Sequence, residues 1–287
     1  MTSPRTLLAA WNIRAKKQLG QNFLTDPFTA ARIIARCGIS TDDIVLEIGA
    51  GLGAMTIPLA RIARTVYAVE IDPVLIKLLK TELATNSISN VNLMEKNILR
   101  FDILEFSKGL GRRIVVMGNL PYGISSQILV KLIYSRKAIC RAFLMFQKEL
   151  AQRISAQPGG KDYGRLTVML KYCAQLKTLT TVSSSLFFPK PKVDSEVLEI
   201  QFRHLLKRPA RDEEFFFQVV KAAFGRRRKT LKNALAGSDL RITGDTALRA
   251  LDLAGVDPMR RAETLQVSEF VSLSNCLSDI LAKTSYA

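Results

Sequence analysis

Histidine and cysteine are scarce in this sequence, and each scarcity excludes a chemistry. The four cysteines, Cys37, Cys140, Cys173 and Cys276, stand far apart with no CxxC spacing. Neither a disulfide framework nor a zinc site is therefore expected, and a reducing compartment is. His204 is the sole histidine, which leaves almost nothing for histidine-based metal or triad chemistry, so no metal is expected. No apolar run approaches the roughly 18–20 residues of a membrane span. Leu7–Trp11 is too short for a signal-peptide core, and basic residues follow it. Repeats and low-complexity segments are absent. A soluble, cytoplasmic, monomeric protein with no membrane partner is the expectation. Acidic residues are also few: 25 Asp and Glu face 42 Lys and Arg, a formal charge of +17. That excess says nothing about fold but favours a polyanionic partner. A length of 287 residues suggests one large or two unequal domains around a well-buried core.

What is present is organised around Ile44–Thr56, IVLEIGAGLGAMT. Ile44 to Ile48 are apolar except for Glu47, as expected for a strand buried on both faces of a parallel sheet. Gly49, Gly51 and Gly53 follow, then a helical run over Ala54–Ala63. Glycines at alternate positions allow a tight turn and close approach of a ligand to bare peptide groups. The helix start is expected to offer free N–H groups at the crevice above the strand. The pattern reads as a nucleotide-cofactor loop, although an ordinary tight strand–helix turn would look similar. Gly49-x-Gly51-x-x-Ala54 also satisfies a loose dinucleotide fingerprint, which keeps an NAD-dependent oxidoreductase open as an alternative.

The flanking chain supports an α/β domain. Arg14, Lys16 and Lys17 precede Gln18–Leu24, which lacks periodicity and reads as a loop, either a solvated basic tail or a segment over the ligand. Thr25 or Asp26 caps a helix with Pro27 in its first turn. Its apolar stripe reads as Phe28, Ala31, Ile34 and Ala35, and Gly38 closes it. Thr65–Ile71 is a second strand ending at Glu70, 21 positions after Gly49. An acid there can accept both hydroxyls of a ribose. Asp72 and Pro73 start the next helix, with Leu75, Leu78, Leu79 and Leu83 inward. Val91–Glu95, Ile114–Gly118 and Ala142–Phe146 read as further strands. Ser125 or Ser126 is expected to cap a helix that turns Ile128, Leu129, Leu132 and Ile133 inward, and another helix begins over Lys148–Ser155. Pro158–Gly164 reads as a polar loop, and Tyr172–Ser183 and Glu196–Phe202 as antiparallel edge strands. The linker His204–Arg211 precedes helices over Asp212–Ala236, with an interruption near Gly225, then Asp245–Ala254 and Ser268–Leu281. Strands alternating with helices, then helices alone, predict a doubly wound, mostly parallel α/β sheet with a small all-α C-terminal domain, divided as 1–206 and 207–287.

Asn119-Leu120-Pro121-Tyr122 leaves the fourth of these strands into the crevice where such sheets bind ligands. The proline fixes the turn, so the Leu120 carbonyl and Asn119 amide can stand together as acceptors. Two acceptors and one aromatic face suit a planar base with an exocyclic amine, Tyr122 stacking on the ring. Accepting the amine hydrogens localises its lone pair toward an electrophile, a stabilisation specific to the transition state. A methyl sulfonium would be a sufficient electrophile. A proline turn with a core tyrosine remains the plain alternative.

At this point the chain resembles the ribosomal RNA adenine dimethyltransferase family, most closely the bacterial small-subunit type (KsgA/RsmA). The resemblance rests on KKQLGQNFL at Lys16–Leu24, EIGAGLGAMT at Glu47–Thr56, VEID at Val69–Asp72 and NLPY at Asn119–Tyr122. FQKELAQR at Phe146–Arg153, FFPKPKVDS at Phe187–Ser195 and FGRRRKTLKNAL at Phe224–Leu235 complete it. These stretches span nearly the whole chain. The resemblance implies a Rossmann-like methyltransferase domain with S-adenosyl-L-methionine as donor, held by Asn22, Leu24, Gly49, Gly51, Glu70, Asn97 and Asn119. It implies a target-adenine site of Asn119, Leu120, Pro121 and Tyr122, with Phe187 stacking on the other face of the base. The implied reaction dimethylates two adjacent adenosines in a hairpin near the 3′ end of small-subunit (16S) rRNA. The implied partner is 16S rRNA or an immature small ribosomal subunit, gripped by a helical RNA-binding C-terminal domain. Ala50 stands where the family usually has proline, which should only loosen the loop. Asn97 replaces a usual aspartate, and its amide oxygen is expected still to accept the adenine amine.

Lys16, Lys17, Arg226, Arg227, Arg228 and Lys229 are the candidate RNA contacts. Arg226–Lys229 read as one full helical turn, so they cannot share a face. An oxidoreductase leaves NLPY, the Phe-Pro loop and the charge unexplained. A non-catalytic RNA-binding or ribosome-assembly factor fits the charge equally well. A methyltransferase acting on large-subunit RNA shares the early motifs, but the FGRRRKTLKNAL segment argues for the small-subunit type.

Overall fold

The computed structural model describes residues 2–203, 205–206 and 208–284. His204 and Lys207, within the expected linker, lie outside the described residues. Two compact units divide the chain: Met1–Ala151 with Gln175–Phe202, and Gln152–Ala174 with Arg203–Ala287. The expected division at 206/207 differs in that residues 152–174 join the second unit.

The first unit begins with helix α1 (Pro4–Ala10), capped by the Ser3 hydroxyl, where no element was expected. A 3₁₀ turn over Lys17–Leu19 leads to the two-residue strand β1 (Phe23–Leu24). Helix α2 (Pro27–Cys37) follows, capped by the Asp26 carboxylate and ended by Gly38 in the left-handed region. Its inner face is Ala30, Ile33, Ile34 and Cys37, while Phe28 is 79 % exposed. The expected stripe is thus rotated, because the Ile33–Ile34 pair rather than the first aromatic determines which side turns inward.

Strands β2 (Ile44–Ile48) and β3 (Thr65–Glu70) flank the short helix α3 (Thr56–Ala60). Helix α4 (Pro73–Thr85), strand β4 (Val91–Glu95), helix α5 (Ile103–Gly109) and strand β5 (Ile114–Asn119) continue the alternation. Helix α6 (Ser125–Tyr134), strand β6 (Ile139–Gln147) and helix α7 (Lys148–Ser155) come next. No side chain caps α6. The Ser125 hydroxyl donates instead to the Pro121 carbonyl, at 2.8 Å. After α8 (Arg165–Cys173), strands β7 (Ala174–Val182), β8 (Phe187–Phe188) and β9 (Ser195–Phe202) complete the sheets.

Seven strands form one sheet in the order β4-β3-β2-β5-β6-β9-β7, and β1 pairs with β8 in a second. The pairs β2–β3, β3–β4, β2–β5 and β5–β6 are parallel, and β9 runs antiparallel to β6. The order reverses between β2 and β5, the place where doubly wound folds bind ligands. Of the two expected edge strands, β7 is one and β9 lies inside the sheet. Every residue of β2 is buried, as its unbroken apolar run requires. Gly118 lets β5 press against β2: a Cβ there would stand 2.5 Å from the Ile48 carbonyl oxygen.

In the second unit, α8 is helical although Tyr172 and Cys173 read as the start of a strand. Helices α9 (Glu213–Gly225), α10 (Leu231–Ala236), α11 (Gly244–Leu253) and α12 (Val267–Thr284) make up the rest. Tyr172 packs on Phe216 and Phe217, and Phe224 stacks on Phe270. Arg211 pairs with Asp279, and Arg260 with Glu269 at 2.5 Å. Among the described residues, no helix is long and apolar enough to cross a membrane.

Candidate active site

A cavity of about 980 Å³, counting its open mouth, sits at the carboxyl ends of β2, β3 and β5. Its wall includes Asn22, Leu24, Gly49, Gly51, Glu70, Asn97, Asn119, Leu120, Pro121 and Tyr122. Every expected cofactor residue and all of Asn119–Tyr122 thus converge on one space.

The glycine loop shapes one edge. Gly49 has φ +76, a conformation that only glycine adopts without strain, and it brings the chain back beneath the Asn119 carbonyl. The amides of Gly49, Ala50 and Gly51, ahead of the helix start, are taken up within the protein. Gly49 N–H donates to the Val69 carbonyl at 2.9 Å and Ala50 N–H to the same oxygen at 3.3 Å. Gly51 N–H donates to Glu70 Oε2 at 2.9 Å. Glu70 Oε1 accepts the N–H groups of Ile71 (2.8 Å) and Asp72 (3.0 Å). Glu70 therefore braces the loop as well as lining the cavity. Burial raises its pKa, while the amides of Asp72, Gly51 and Ile71 oppose the rise.

Asp72 anchors the segment that crosses the cavity. Lys16 Nζ lies 2.9 Å from its carboxylate, and Gln21 Nε2 donates to it at 2.9 Å. Burial alone would raise the Asp72 carboxyl, but Lys16, Gln21 and the Val74 amide together hold it below its ordinary range. Lys16, expected as an RNA contact, is thereby a clasp for Lys17–Leu24. Lys17 is exposed.

Asn119 is held by that same segment. Its Nδ2 donates to the Asn22 carbonyl at 3.0 Å, so Oδ1 is the atom left to accept from a ligand. The Tyr122 hydroxyl lies 3.3 Å from Ser195 Oγ, and burial raises the phenol's pKa. Asp194, beside Ser195, accepts the Ser184 amide at 2.8 Å. Asn97 Oδ1 accepts the Leu99 amide at 2.9 Å, which fixes the oxygen's position and leaves its second lone pair for a ligand. Phe187, expected to stack on the base, is 3 % exposed and packs in the core with Leu24. It is not among the residues that line the cavity, although Leu24, its partner across β1–β8, is.

Sequence reading gave Glu47 no role, though a lone acid in an apolar strand was a visible signal. It is 2 % exposed, lines the cavity, and its Oε2 has no hydrogen-bond partner among the described residues. The Thr56 hydroxyl nearby is likewise unpartnered. Burial pushes the carboxyl up to about 8, and the charge of Glu70 raises it further. The folded protein thus holds this proton to higher pH than the unfolded chain does, and its contribution to stability falls as pH rises toward about 8. Glu47→Gln is expected to melt like the parent near about pH 5 and to be more stable by on the order of 3 kcal/mol near about pH 8.5. Thermal melts of both proteins across pH check this; parallel curves would refute it.

In the second unit the basic run lies in a turn after α9, not on a helix: Arg226 has φ −131 and ψ 70. Arg226 packs its guanidinium against Gly237. Arg227 donates to the Lys161 carbonyl at 2.6 Å and pairs with Glu263 at 3.1 Å, tying down the loop before α8. Arg228 and Lys229 are exposed. Arg227→Ala is therefore expected to cost about 1 kcal/mol of stability and leave the salt slope of RNA binding unchanged. Arg228→Glu with Lys229→Glu should lower that slope by about two. Chemical denaturation and RNA binding across a salt series separate the two outcomes.

An adenosine-bearing, cationic cofactor fits this cavity. Gly49 leaves one edge bare, and a buried carboxyl with an unpartnered oxygen lines the wall. Fold and site together define an α/β nucleotide-cofactor enzyme of the methyltransferase class. A family model described as ribosomal RNA adenine dimethylase matches residues 12–279. Ribosomal RNA small subunit methyltransferase A of Desulforapulum autotrophicum is 50 % identical over 96 % of this chain and 97 % of its own. A dimethyladenosine transferase from Plasmodium falciparum superposes with a TM-score of 0.74 at 27 % identity, covering 88 % of this chain and 95 % of that one. The 23S rRNA methyltransferase ErmE gives a TM-score of 0.64 at 28 % identity, over 89 % and 99 %. The chain belongs to the ribosomal RNA adenine dimethylase family.

Proposed function

We propose that this chain dimethylates the exocyclic amines of two adjacent adenosines in a hairpin near the 3′ end of small-subunit rRNA. The observation that carries this reading is Asn119: Nδ2 is fixed by the Asn22 carbonyl at the carboxyl end of β5, and Tyr122 lies beside it on the wall of the same cavity. S-adenosyl-L-methionine, when bound, supplies an electrophilic methyl group on a sulfonium. Gly49, Glu70 and Asn97 would hold that donor, and Glu47 would face its positive charge.

The protein's own work is positioning. Asn119 Oδ1 and the Leu120 carbonyl accept the two amine hydrogens, which directs the nitrogen lone pair into the cavity. Tyr122, steadied by Ser195, offers a stacking face to the extruded base. Holding the two reactants in line can contribute up to ~7–11 kcal/mol without covalent catalysis. Arg228 and Lys229 would neutralise phosphates, which supply much of the affinity for RNA. The substrate would be 16S rRNA within an immature small subunit in the cytoplasm.

Methyl transfer from labelled donor tests the reading on small subunits lacking the modification, on naked 16S RNA and on large subunits. Two dimethylated adenosines in the small-subunit RNA are the expected product. Label in large-subunit RNA instead would favour the activity for which ErmE is named, and no transfer to any RNA would leave only a binding role.

A further inference from the structure

Helix α2 carries an outward face that the reading above does not use. Phe28, Arg32 and Arg36 recur at every fourth residue, which places them along one side of the helix. Phe28 is the most exposed aromatic ring among the described residues, at 79 %. Arg32 and Arg36 line a groove of about 330 Å³ between α2 and β7, together with Thr29, Thr180 and Thr181. Arg36 Nη1 donates to the Leu179 carbonyl at 3.1 Å, which holds its guanidinium at the groove and leaves the remaining N–H groups to a ligand.

These arginines differ from four others that meet a carboxylate. Arg141, Arg211, Arg227 and Arg260 each face a carboxylate. Neither Arg32 nor Arg36 has an ion-pair partner among the described residues. Asp26, whose carboxyl Arg32 helps to lower, is taken up by the helix start, accepting from the Phe28 and Thr29 amides and the Thr29 hydroxyl. β7 is an edge strand of the large sheet, so its outer backbone groups are also open to a ligand.

The position of this face is informative. Leu24 lines the active-site cavity, and α2 begins three residues later at Pro27. Thr25 joins the two regions by donating its amide and hydroxyl to the Leu186 carbonyl, at 2.8 and 2.9 Å. A strand whose adenosine enters the cavity would have its neighbouring nucleotides within reach of Phe28.

We propose that Phe28, Arg32 and Arg36, with the threonines of the adjoining groove, form an auxiliary RNA site for nucleotides flanking the target adenosine. A base stacks on Phe28, and a phosphate sits between the two guanidinium groups. An exposed aromatic beside unpaired cations is the combination that single-stranded RNA uses. The chain's charge of +17 agrees with a polyanion as occupant. This proposal rests on the methyltransferase reading for its substrate.

The test uses the full chain and a synthetic RNA hairpin with two adjacent adenosines in its loop, without cofactor, across a salt series. Phe28→Ala should weaken hairpin binding by roughly 5-fold or more, and Phe28→Trp should restore it. Arg32→Glu with Arg36→Glu should reduce the salt slope by about two. S-adenosylmethionine affinity, measured separately, should match the parent in all three variants. Unchanged hairpin affinity and slope would overturn the proposal. So would a loss seen only with intact small subunits, since that would assign the face to a ribosomal protein. Failure of the unaltered protein to methylate any RNA would instead overturn the catalytic reading, and the hairpin comparison would still be decided on its own.

Discussion

Asn119→Ala is expected to lower the single-turnover rate of methyl transfer by roughly 100-fold, the cost typical of losing one preorganised group aimed at the reacting centre. RNA affinity falls far less, because only one small contact to the base is lost. Cofactor affinity falls modestly, since the Asn22 carbonyl loses its partner and the segment it belongs to loosens. Asn119→Asp is a sharper probe. It keeps an acceptor on the cavity but places a carboxylate oxygen against the Asn22 carbonyl, where the native amide donates. Its rate should lie between alanine and the parent and improve at lower pH, where a protonated carboxyl can donate. Rapid-quench measurements with cofactor and subunits saturating decide both. A parental rate for Asn119→Ala would remove the residue from the mechanism.

Glu70→Gln should weaken S-adenosylmethionine binding by about 1.5–3 kcal/mol, some 10- to 150-fold. The carboxylate accepts three backbone amides with its two oxygens. A glutamine supplies a single acceptor oxygen and turns an N–H group toward at least one of those donors. The glycine loop should therefore open, and the melting temperature should fall along with cofactor affinity. Alanine does not isolate a ribose-binding role, since it strands three amides at a cost of about 1–3 kcal/mol each when buried. Calorimetric titration with S-adenosylmethionine, paired with thermal melts, is the check. Full affinity in a protein with an intact melting profile would mean that Glu70 touches neither the loop nor the donor.

The parallel strands and the cavity floor were legible because each signal was local and repeated. Continuous Val, Ile and Leu runs marked β2, β3 and β5, and glycine and proline marked the turns that leave them. The misreadings share a different cause. Phe28 and Phe187 are both aromatic residues near strand or helix starts, yet one is outside and the other inside. What separates them is pairing across β1–β8 and the Ile33–Ile34 anchor of α2, and neither lies in the local composition. Lys16 and Arg227 were read as candidate RNA contacts, and their intramolecular partners went unseen, since a sequence displays charge but not the distant Asp72 or Glu263 that meets it. Arg165–Cys173 contains Thr, Val, Tyr and Cys, residues of modest helix propensity. Packing of Tyr172 on Phe216 and Phe217 overrides that preference. Glu47 was visible as an oddity, but its meaning depends on the cavity beside it.

Gly118 has a consequence for how this enzyme could be re-engineered. With no side chain there, β5 and β2 meet backbone to backbone at Ile48, directly before the two segments that would hold acceptor and donor. The gap across which a methyl group must travel is then gauged by the sheet itself, not by its surface loops. Loop exchanges around the cavity mouth could redirect the chain to another RNA while leaving that gauge untouched. A single methyl at Gly118 would wedge the strands apart and spoil the transfer for every substrate alike.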